Sequence, residues 1–450
     1  MITFLLAAAT LLSIENCKEV ATDPEAALAQ SVGLQGFIYG YPIVDLLQQM
    51  HNETHRVRSG QPVAAPVNHV GIYPGVLTPK TQGQLRSPNA DTLYVNAWID
   101  LSQGPVLLDV PEMAKRYYTL AFMDLYAKPH HLGTRTNGGK ASRYALIGPS
   151  GGIIPSGYQE FRLPTDTAWM LGRILVTDAE DEVEAKRLAR AIIMTGAHGP
   201  AVTNAEPARY FEGLTYFSVL NRALKSLPAN PGEEALVAGF DSAGFGPSRE
   251  FDPEQLSPSQ KLGLGCAVQL GPQVLAKRGF KPTQRTNGWL LSNAVASPGR
   301  DYLLRAEIAR GGYVNDPEES IYPAAIADSS GQMLNGQNQY RIRFEKDQLP
   351  PVQAFWSLTA YDMKTLQLTE NQLRRYAIGD RTKGLRYAKD GSLEIILSAK
   401  QPDKGIANWL PVPRDAFHIV ARLYLPLQIA LDGRYALPRI ERIETLPKRP

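Results

Sequence analysis

The sequence predicts a mainly β protein with helical additions: two tandem jelly-roll-like β-sandwiches, related by internal duplication, with a helical N-terminus and a helical linker between them. Three observations predict it. A series of motifs in the first half recurs in the same order in the second. The apolar runs are mostly short, rich in β-branched and aromatic residues, and end at Gly, Pro, Asn or Asp. Between the two halves the spacing of apolar residues changes from a strand period to a helix period.

The repeat runs as follows along the chain. Asp91-Thr-Leu-Tyr94, with Ala97, Asp100 and Ser102, returns as Glu319-Ser-Ile-Tyr322, with Ala325, Asp328 and Ser330, at an offset of 228. Tyr118–Asp124 returns as Trp356–Asp362 at 238, and Gly133-Thr-Arg-Thr-Asn-Gly138 returns as Gly379-Asp-Arg-Thr-Lys-Gly384 at 246. Arg143-Tyr-Ala145 returns as Arg386-Tyr-Ala388, and Pro164 to Arg173 returns as Pro413 to Arg422 at 249. Small loop insertions account for the drift in offset. Within the modules, Val106–Val110 stops at Pro111, Tyr340–Phe344 alternates as a half-buried strand should, and Leu393–Leu397 follows the turn Lys389-Asp-Gly391. Such strands suit a sandwich or jelly roll and not a parallel sheet.

Helices are expected at Pro24–His55, interrupted near Gly40-Tyr-Pro42, and at Ala179–Thr195, Ala208–Ser226, Pro258–Gly271 and Tyr302–Ala309. The chain therefore divides into a signal peptide (1–20), an N-terminal helical segment (21–65), a first sandwich (66–178), a helical linker (179–312) and a second sandwich (313–450).

The chain has 450 residues, of which 44% are hydrophobic, ample for two cores at about 100–200 residues per domain. Its formal charge is +3 with no basic block, which gives no electrostatic case for nucleic acid. The apolar run Met1–Leu12 is of signal-peptide length and shorter than the ~20 residues of a membrane-spanning helix. It has no basic residue before Lys18. A processed product is expected to be soluble and periplasmic or secreted, with homo-oligomerisation left open. The two cysteines, Cys17 and Cys266, make neither a metal cluster nor a disulfide framework. If Cys17 leaves with the leader, Cys266 is expected to be a buried small hydrophobe.

These residues are familiar as motifs. Ser87-Pro-Asn-Ala-Asp-Thr-Leu-Tyr94, Asp100-Leu-Ser-Gln-Gly-Pro105 and Arg116-Tyr-Tyr118 resemble the DUF1254 family. Phe355-Trp-Ser-Leu-Thr-Ala-Tyr361, Gly379-Asp-Arg-Thr382 and Asn408-Trp-Leu-Pro-Val-Pro413 resemble the DUF1214 family, which commonly follows it in one chain. The resemblance covers about residues 30–445. It implies a bacterial, often exported protein of two jelly-roll-like sandwiches with helical additions, and it supplies no substrate, since the family's activity is undefined. His130-His131 departs from the less basic turn that the family leads one to expect.

Duplication sorts the candidate residues. Those kept in both modules, Asp124/Asp362, Arg135/Arg381 and Arg173/Arg422, are explained by the shared fold, with an Arg bridging carboxylates or carbonyls through its fork of donors. Alternatively, Asp and Arg from each module line a pocket. Three places lie in one module alone. Asn89 stands with Asp91 and Tyr94, where the second module has Pro317 and Glu319; a turn cap is its plain structural role. Asp124-Leu-Tyr126 lies with His130-His131 on a loop between strands, suited to proton transfer, although two adjacent histidines in a strand would point opposite ways. Asn408-Trp409 joins Trp356, Tyr361 and Tyr376 as aromatic faces for a sugar or flat ligand, unless they simply pack in the core.

His51 and His55 share a helix face, but His-Asn-Glu-Thr-His is not the zincin order, Glu53 points away, and a further ligand such as His69 would be needed; no metal or cofactor is assigned. There is no Gly-x-Ser-x-Gly elbow, Walker loop or dinucleotide fingerprint. Two readings follow. In the first, an exported hydrolase or lyase acts on a small or oligomeric substrate, with Asp91, Asp124, His130 or His131 as acid or base and Arg135 holding an anionic or carbonyl oxygen. In the second, a non-catalytic binding or assembly protein holds a small molecule or glycan in an aromatic-lined pocket, with Asn89, Tyr94, Tyr126, Trp356, Tyr361, Arg381, Asn408 and Trp409 as binding residues.

Overall fold

A computed structural model describes residues 17–55, 65–83, 85, 87–197, 209–278, 284–291 and 298–443. Residues 1–16 of the expected leader lie outside the described residues, whereas 17–20 belong to the folded structure. The fold is mainly β, with several sheets, some helices and no closed barrel. None of the described helices is long and apolar enough to cross a membrane.

The first half pairs Gly71–Ile72 (β1), Thr92–Asp100 (β2), Thr167–Leu175 (β8), Tyr118–Asp124 (β4) and Pro129–Gly133 (β5) in the order β1-β2-β8-β4-β5. Its second sheet takes Gln159–Arg162 (β7), Ser142–Ile147 (β6), Val106–Val110 (β3) and Ile193–Thr195 (β9) in the order β7-β6-β3-β9. In the second half, one sheet runs from Gln284–Thr286 (β10) and Trp289–Leu291 (β11) through Ala324–Ala325 (β13) to Phe417–Pro426 (β19), Val352–Asp362 (β15) and Ala377–Gly379 (β16), with Ser320–Ile321 (β12) also on β19. The other takes Trp409–Pro411 (β18), Leu393–Ser398 (β17), Gln339–Phe344 (β14) and Ile440–Ile443 (β20) in the order β18-β17-β14-β20. The four-stranded sheets have the same order, with one parallel pair in each, β6 with β7 and β17 with β18, and the larger sheets share the central run β2-β8-β4-β5 and β12/β13-β19-β15-β16, with additional strands at the edge of the second.

Register corresponds as well. Tyr94 stands opposite Arg173 on β2 and β8. Ser320 stands opposite Tyr424, and Ala324 opposite Val420, which puts Tyr322 in line with Arg422. The alternation read in Tyr340–Phe344 holds: Tyr340, Ile342 and Phe344 are buried in the core between the sheets. β2 and β4 do not alternate in burial, because helices and the other half cover their outer face.

Pro24–His55 (α1) is one helix of 32 residues, continuous through Pro42 and not interrupted there. Asp23 caps its start, accepting from the backbone N–H groups of Glu25 and Ala26, both at 3.0 Å, with Pro24 in the first turn. Pro258–Arg278 (α4) follows a capping box: Ser257 Oγ accepts from Gln260 N at 3.1 Å while Gln260 Oε1 accepts from Ser257 N at 3.0 Å. Between these come Asp181–Arg190 (α2) and Thr215–Ser226 (α3), and after them Tyr302–Gly311 (α5). α1 lies tightly along α4: a Cβ on Gly263 would sit 2.3 Å from the Ala26 carbonyl oxygen. With Trp98 and Trp169 from the first half, the helices bury a core of their own.

Two expectations are corrected here. Cys266 is not alone: the packing of α1 on α4 brings Cys17 to it, and the two form a disulfide with Cα atoms 5.7 Å apart. Residues 179–312 are not purely helical either. The expected helix 179–195 ends at Arg190, and β9 then completes a sheet of the first half, while the β10–β11 hairpin extends a sheet of the second.

Candidate functional site

Most of the polar candidates meet where the outer faces of the two large sheets pack together. The chain enters β2 through a turn held by Asn89. Its Oδ1 accepts from Asp91 N and Thr92 N, both at 2.9 Å, and its Nδ2 donates to Thr92 Oγ1 at 2.9 Å and Tyr94 Oη at 3.1 Å. This aims Asp91 across the junction, where Oδ1 accepts from Arg381 Nη2 at 2.8 Å and Oδ2 from Ser357 Oγ at 2.7 Å. The second half answers in kind. Asn315 Nδ2 donates to Ser320 Oγ at 3.1 Å and Tyr322 Oη at 2.9 Å, and Glu319 accepts from Tyr117 Oη at 2.7 Å and Arg135 Nε at 2.9 Å.

The two ion pairs are therefore exchanged: each half supplies the carboxylate for the other half's arginine. Both arginines sit on matching turns, in which Thr136 Oγ1 accepts from Gly133 N at 2.9 Å and Thr382 Oγ1 from Gly379 N at 3.0 Å. The reading of Asn89 as a residue of one module falls in part. Asn315, two residues earlier than the motif offset implies, makes the same amide-donor bonds, although its Oδ1 accepts from Arg173 and not from the backbone of the turn. Tyr361 joins this junction, buried, with its hydroxyl on the Pro88 carbonyl at 2.5 Å and its ring stacked on His418. Burial and the Arg422 guanidinium lower the His418 pKa to about 4.

The two histidines of the first half separate. They lie in β5, not on a loop, so their side chains take opposite faces. His131 faces the junction. The Asp316 backbone N–H donates to its Nε2 at 3.3 Å, which leaves Nδ1 to carry the proton toward Thr119 Oγ1 at 3.1 Å. Burial, with the Arg135 and Arg173 guanidiniums, lowers its pKa to about 3.

His130 faces outward. Its Nε2 meets Asp124 Oδ2 at 2.9 Å. Asp124 is 1% exposed, and its Oδ1 accepts from Tyr126 N at 2.9 Å and Lys128 N at 3.0 Å, so the tight turn between β4 and β5 holds the carboxylate rigidly. His130, 22% exposed, lines a shallow cavity of about 430 Å³ with Pro149, Arg162, Leu163 and Pro164. An ionised carboxylate only accepts, so Nε2 carries the proton and Nδ1 is the basic lone pair. Tyr126 is turned away into the helical core, donating to the Pro228 carbonyl.

The aromatic pocket does not form. Trp356 packs against Phe344 inside the second half, and Trp409 is 1% exposed with Nε1 on the Ser398 carbonyl at 2.9 Å. Asn408 braces backbone, donating to Arg386 O at 2.7 Å and Glu394 O at 2.9 Å. The donors of Asn408 and Trp409 are taken by main-chain carbonyls and the indole faces are buried, so neither is offered to a ligand. An open groove of about 1340 Å³ lies at the far end of the second half, lined by polar side chains such as Asp328, Asn338, Lys400 and Glu441, and a cleft of about 470 Å³ opens beside Asp91 and Arg381.

Sequence reasoning missed a second polar cluster, between α1 and the first half. Glu53 accepts from Trp98 Nε1 at 2.6 Å and Asn96 Nδ2 at 2.9 Å, and Trp169 Nε1 donates to Asn96 Oδ1 at 2.6 Å. Two turns earlier Asp45 accepts from Tyr313 Oη at 2.8 Å and Gln49 Nε2 at 2.6 Å. Burial raises both carboxyl pKa values above the ordinary range, against the pull of these donors. The signal was present: two carboxylates eight residues apart on a helix otherwise rich in Leu, Ile and Val. The residues weighed for a metal do not assemble. His51 is buried, His69 is exposed with Nδ1 near its own Val67 carbonyl, and the side chain of His55 lies outside the described residues. Among the described residues no group of three His, Cys, Asp or Glu side chains could hold an ion.

Comparison with known proteins agrees with the fold. The crystal structure of the VPA0106 protein from Vibrio parahaemolyticus matches 92% of this chain and 100% of its own, with a TM-score of 0.70 at 22% identity. An uncharacterised protein from Burkholderia cenocepacia matches 96% of this chain and 99% of its own, with a TM-score of 0.46 at 13% identity. No curated protein matches. Two family models do, each described as a protein of unknown function: DUF1254 over residues 67–196 and DUF1214 over residues 319–428, together just over half of the chain.

Proposed function

The chain belongs to the tandem DUF1254–DUF1214 family, and from that premise we propose that it is an exported acid–base enzyme, a hydrolase or lyase, acting on a small polar substrate at the surface of the first half. One observation carries the reading: the Asp124–His130 pair at 2.9 Å, with a buried carboxylate fixed by two backbone donors and an imidazole that reaches a cavity. Asp124 holds the imidazole in one tautomer and stabilises the imidazolium. His130 Nδ1 takes a proton from water or from an acidic C–H and returns it to the leaving group. Arg162, on the same cavity wall, offers a cation to an anionic group of the substrate.

The Cys17–Cys266 disulfide supports export, since such bonds persist in oxidising compartments. The matching strand orders and exchanged ion pairs support one jelly-roll-like module written twice. A second reading, a non-catalytic binding protein, is favoured by the polar groove at the far end of the second half.

The test is turnover by the purified full chain of a panel of aryl esters, lactones and uronic-acid glycosides, comparing wild type with His130→Gln and Asp124→Asn. Loss of about 100-fold in His130→Gln with an unchanged Tm is expected, in line with general-base contributions of 10²–10⁴. Turnover that survives His130→Gln, or no turnover of any panel member by wild type, rejects the enzyme reading.

A further inference from the structure

Four arginines face the junction between the halves, and two of them have no carboxylate beside them. Arg135 pairs with Glu319 at 2.9 Å, and Arg381 pairs with Asp91 at 2.8 Å and Asp380 at 3.4 Å. Arg173 and Arg422, which occupy matching positions on β8 and β19, have no carboxylate within ion-pair distance among the described residues. Arg173 donates to Asn315 Oδ1 at 3.2 Å and faces the Tyr94 ring at 5.4 Å. Arg422 donates to the Ser87 carbonyl at 2.6 Å and faces the Tyr361 ring at 5.6 Å. The direct partners of both guanidiniums are neutral oxygens and ring faces, with Asp91 within electrostatic reach of Arg422 but not in contact with it, and a buried charge so weakly paired is disfavoured.

Unused donors point the same way. Arg422 is 3% exposed, yet its Nη1 has no partner, and neither has Tyr424 Oη, whose residue is fully buried two positions along the same strand face. Tyr94 and Tyr424 lie within electrostatic reach of both arginines, so the two guanidiniums converge on one region. Asp91, the carboxylate within electrostatic reach of Arg422, already uses both oxygens on other donors.

We propose that a small monovalent anion, a halide or a formate-sized carboxylate, is bound in this junction between Arg173 and Arg422, taking hydrogen bonds from Arg422 Nη1 and the Tyr424 hydroxyl. It takes up donors that only the folded chain brings together, so it binds the folded chain and not the unfolded one and stabilises the packing of the two halves.

The full chain is exchanged into gluconate buffer, and Tm is followed while chloride, bromide or formate replaces gluconate at constant ionic strength. A saturable rise of a few degrees with the small ions is expected. Arg422→Met should abolish the rise, and Tyr424→Phe, a milder change should Arg422→Met not fold, should weaken apparent affinity several-fold. A crystal grown with bromide should show an anomalous peak in contact with both guanidiniums. The proposal is overturned by a Tm indifferent to the small ions, by an undiminished rise in Arg422→Met or Tyr424→Phe, or by bromide peaks that lie only elsewhere.

Discussion

Arg135→Met should destabilise the protein through a residue it does not replace. Glu319 is 0% exposed, and its two oxygens accept from Tyr117 and Arg135. Removing the guanidinium leaves an ionised, buried carboxylate with a single hydroxyl donor. Breaking a buried pair in this way costs roughly 3–5 kcal/mol. Arg135 is 33% exposed, so water reaches the pair and screens it, and about 2–3 kcal/mol is the appropriate expectation. Glu319→Gln should cost less, about 1–2 kcal/mol, because the abandoned arginine can turn to solvent. The double variant should be less destabilised than the sum by at least ~1 kcal/mol, since the orphaned charge is gone. Urea unfolding at pH 7.5 measures this. A penalty below about 0.5 kcal/mol, or strictly additive single variants, would show that the exchanged ion pairs are not what the junction rests on.

Three further outcomes are expected. The pKa values of His131 and His418, lowered to about 3 and about 4, mean that both are neutral in the folded chain, so the stability tied to them is complete above pH ~6.5 and is lost as pH falls toward 4 and 3. The free energy of unfolding should drop steeply over that range, by up to about 1.4 kcal/mol per pH unit for each histidine, with Tm falling alongside, and His131→Gln should flatten the curve. Glu53 titrates with the opposite sign: its raised pKa favours folding at low pH and is a growing cost as pH rises through it, so Glu53→Gln should gain Tm relative to wild type between pH 5 and pH 8. Cys17 and Cys266 close a loop with a sequence separation of 249, for which chain entropy gives an upper figure of about 5.5 kcal/mol against the roughly 2–4 kcal/mol that disulfides typically contribute, so reduction should lower Tm and thiol titration should find two new thiols; two free thiols before reduction would contradict the bond.

What the sequence revealed and what it hid follow from how local each feature is. Strand alternation in Tyr340–Phe344 and the end of the strand Val106–Val110 at Pro111 depend on neighbours along the chain, and both were legible. So were the bounds of α1, where Asp23 and Pro24 sit together. The run through Pro42 was not, because packing in the helical core outweighs the one backbone hydrogen bond that proline removes. The Cys17–Cys266 bond joins residues that only the docking of two helices brings together. His130-His131 was read as a loop because its short turn ends two residues earlier than its composition implies; once in a strand, the pair had to split between faces. The buried position of Glu53 depends on Trp98 and Asn96, side chains of another element, which no helical period reveals.

The rule that residues kept in both halves serve the fold accounts for the junction, and it also isolates a place where the halves diverge in chemistry. Asp124 and Asp362 do the same local work: each accepts backbone N–H bonds two and three or four residues on, closing the turn after β4 or β15. The turns then differ in length. In the first half β5 begins at Pro129 and sets His130 opposite Phe122, within reach of the Asp124 carboxylate. In the second half the chain wanders from Met363 to Tyr376 before β16 begins, and Tyr376, the counterpart of His130 on the register, gives its hydroxyl to Glu370 at 2.9 Å instead. Asp362 is left as a turn cap, with His418 within electrostatic reach but, among the described residues, no imidazole hydrogen-bonded to it. A carboxylate that the fold requires anyway thus meets an imidazole directly in one half alone. A structural need explains Asp124, and it does not explain His130; the histidine is therefore the residue whose replacement separates a scaffold from an enzyme.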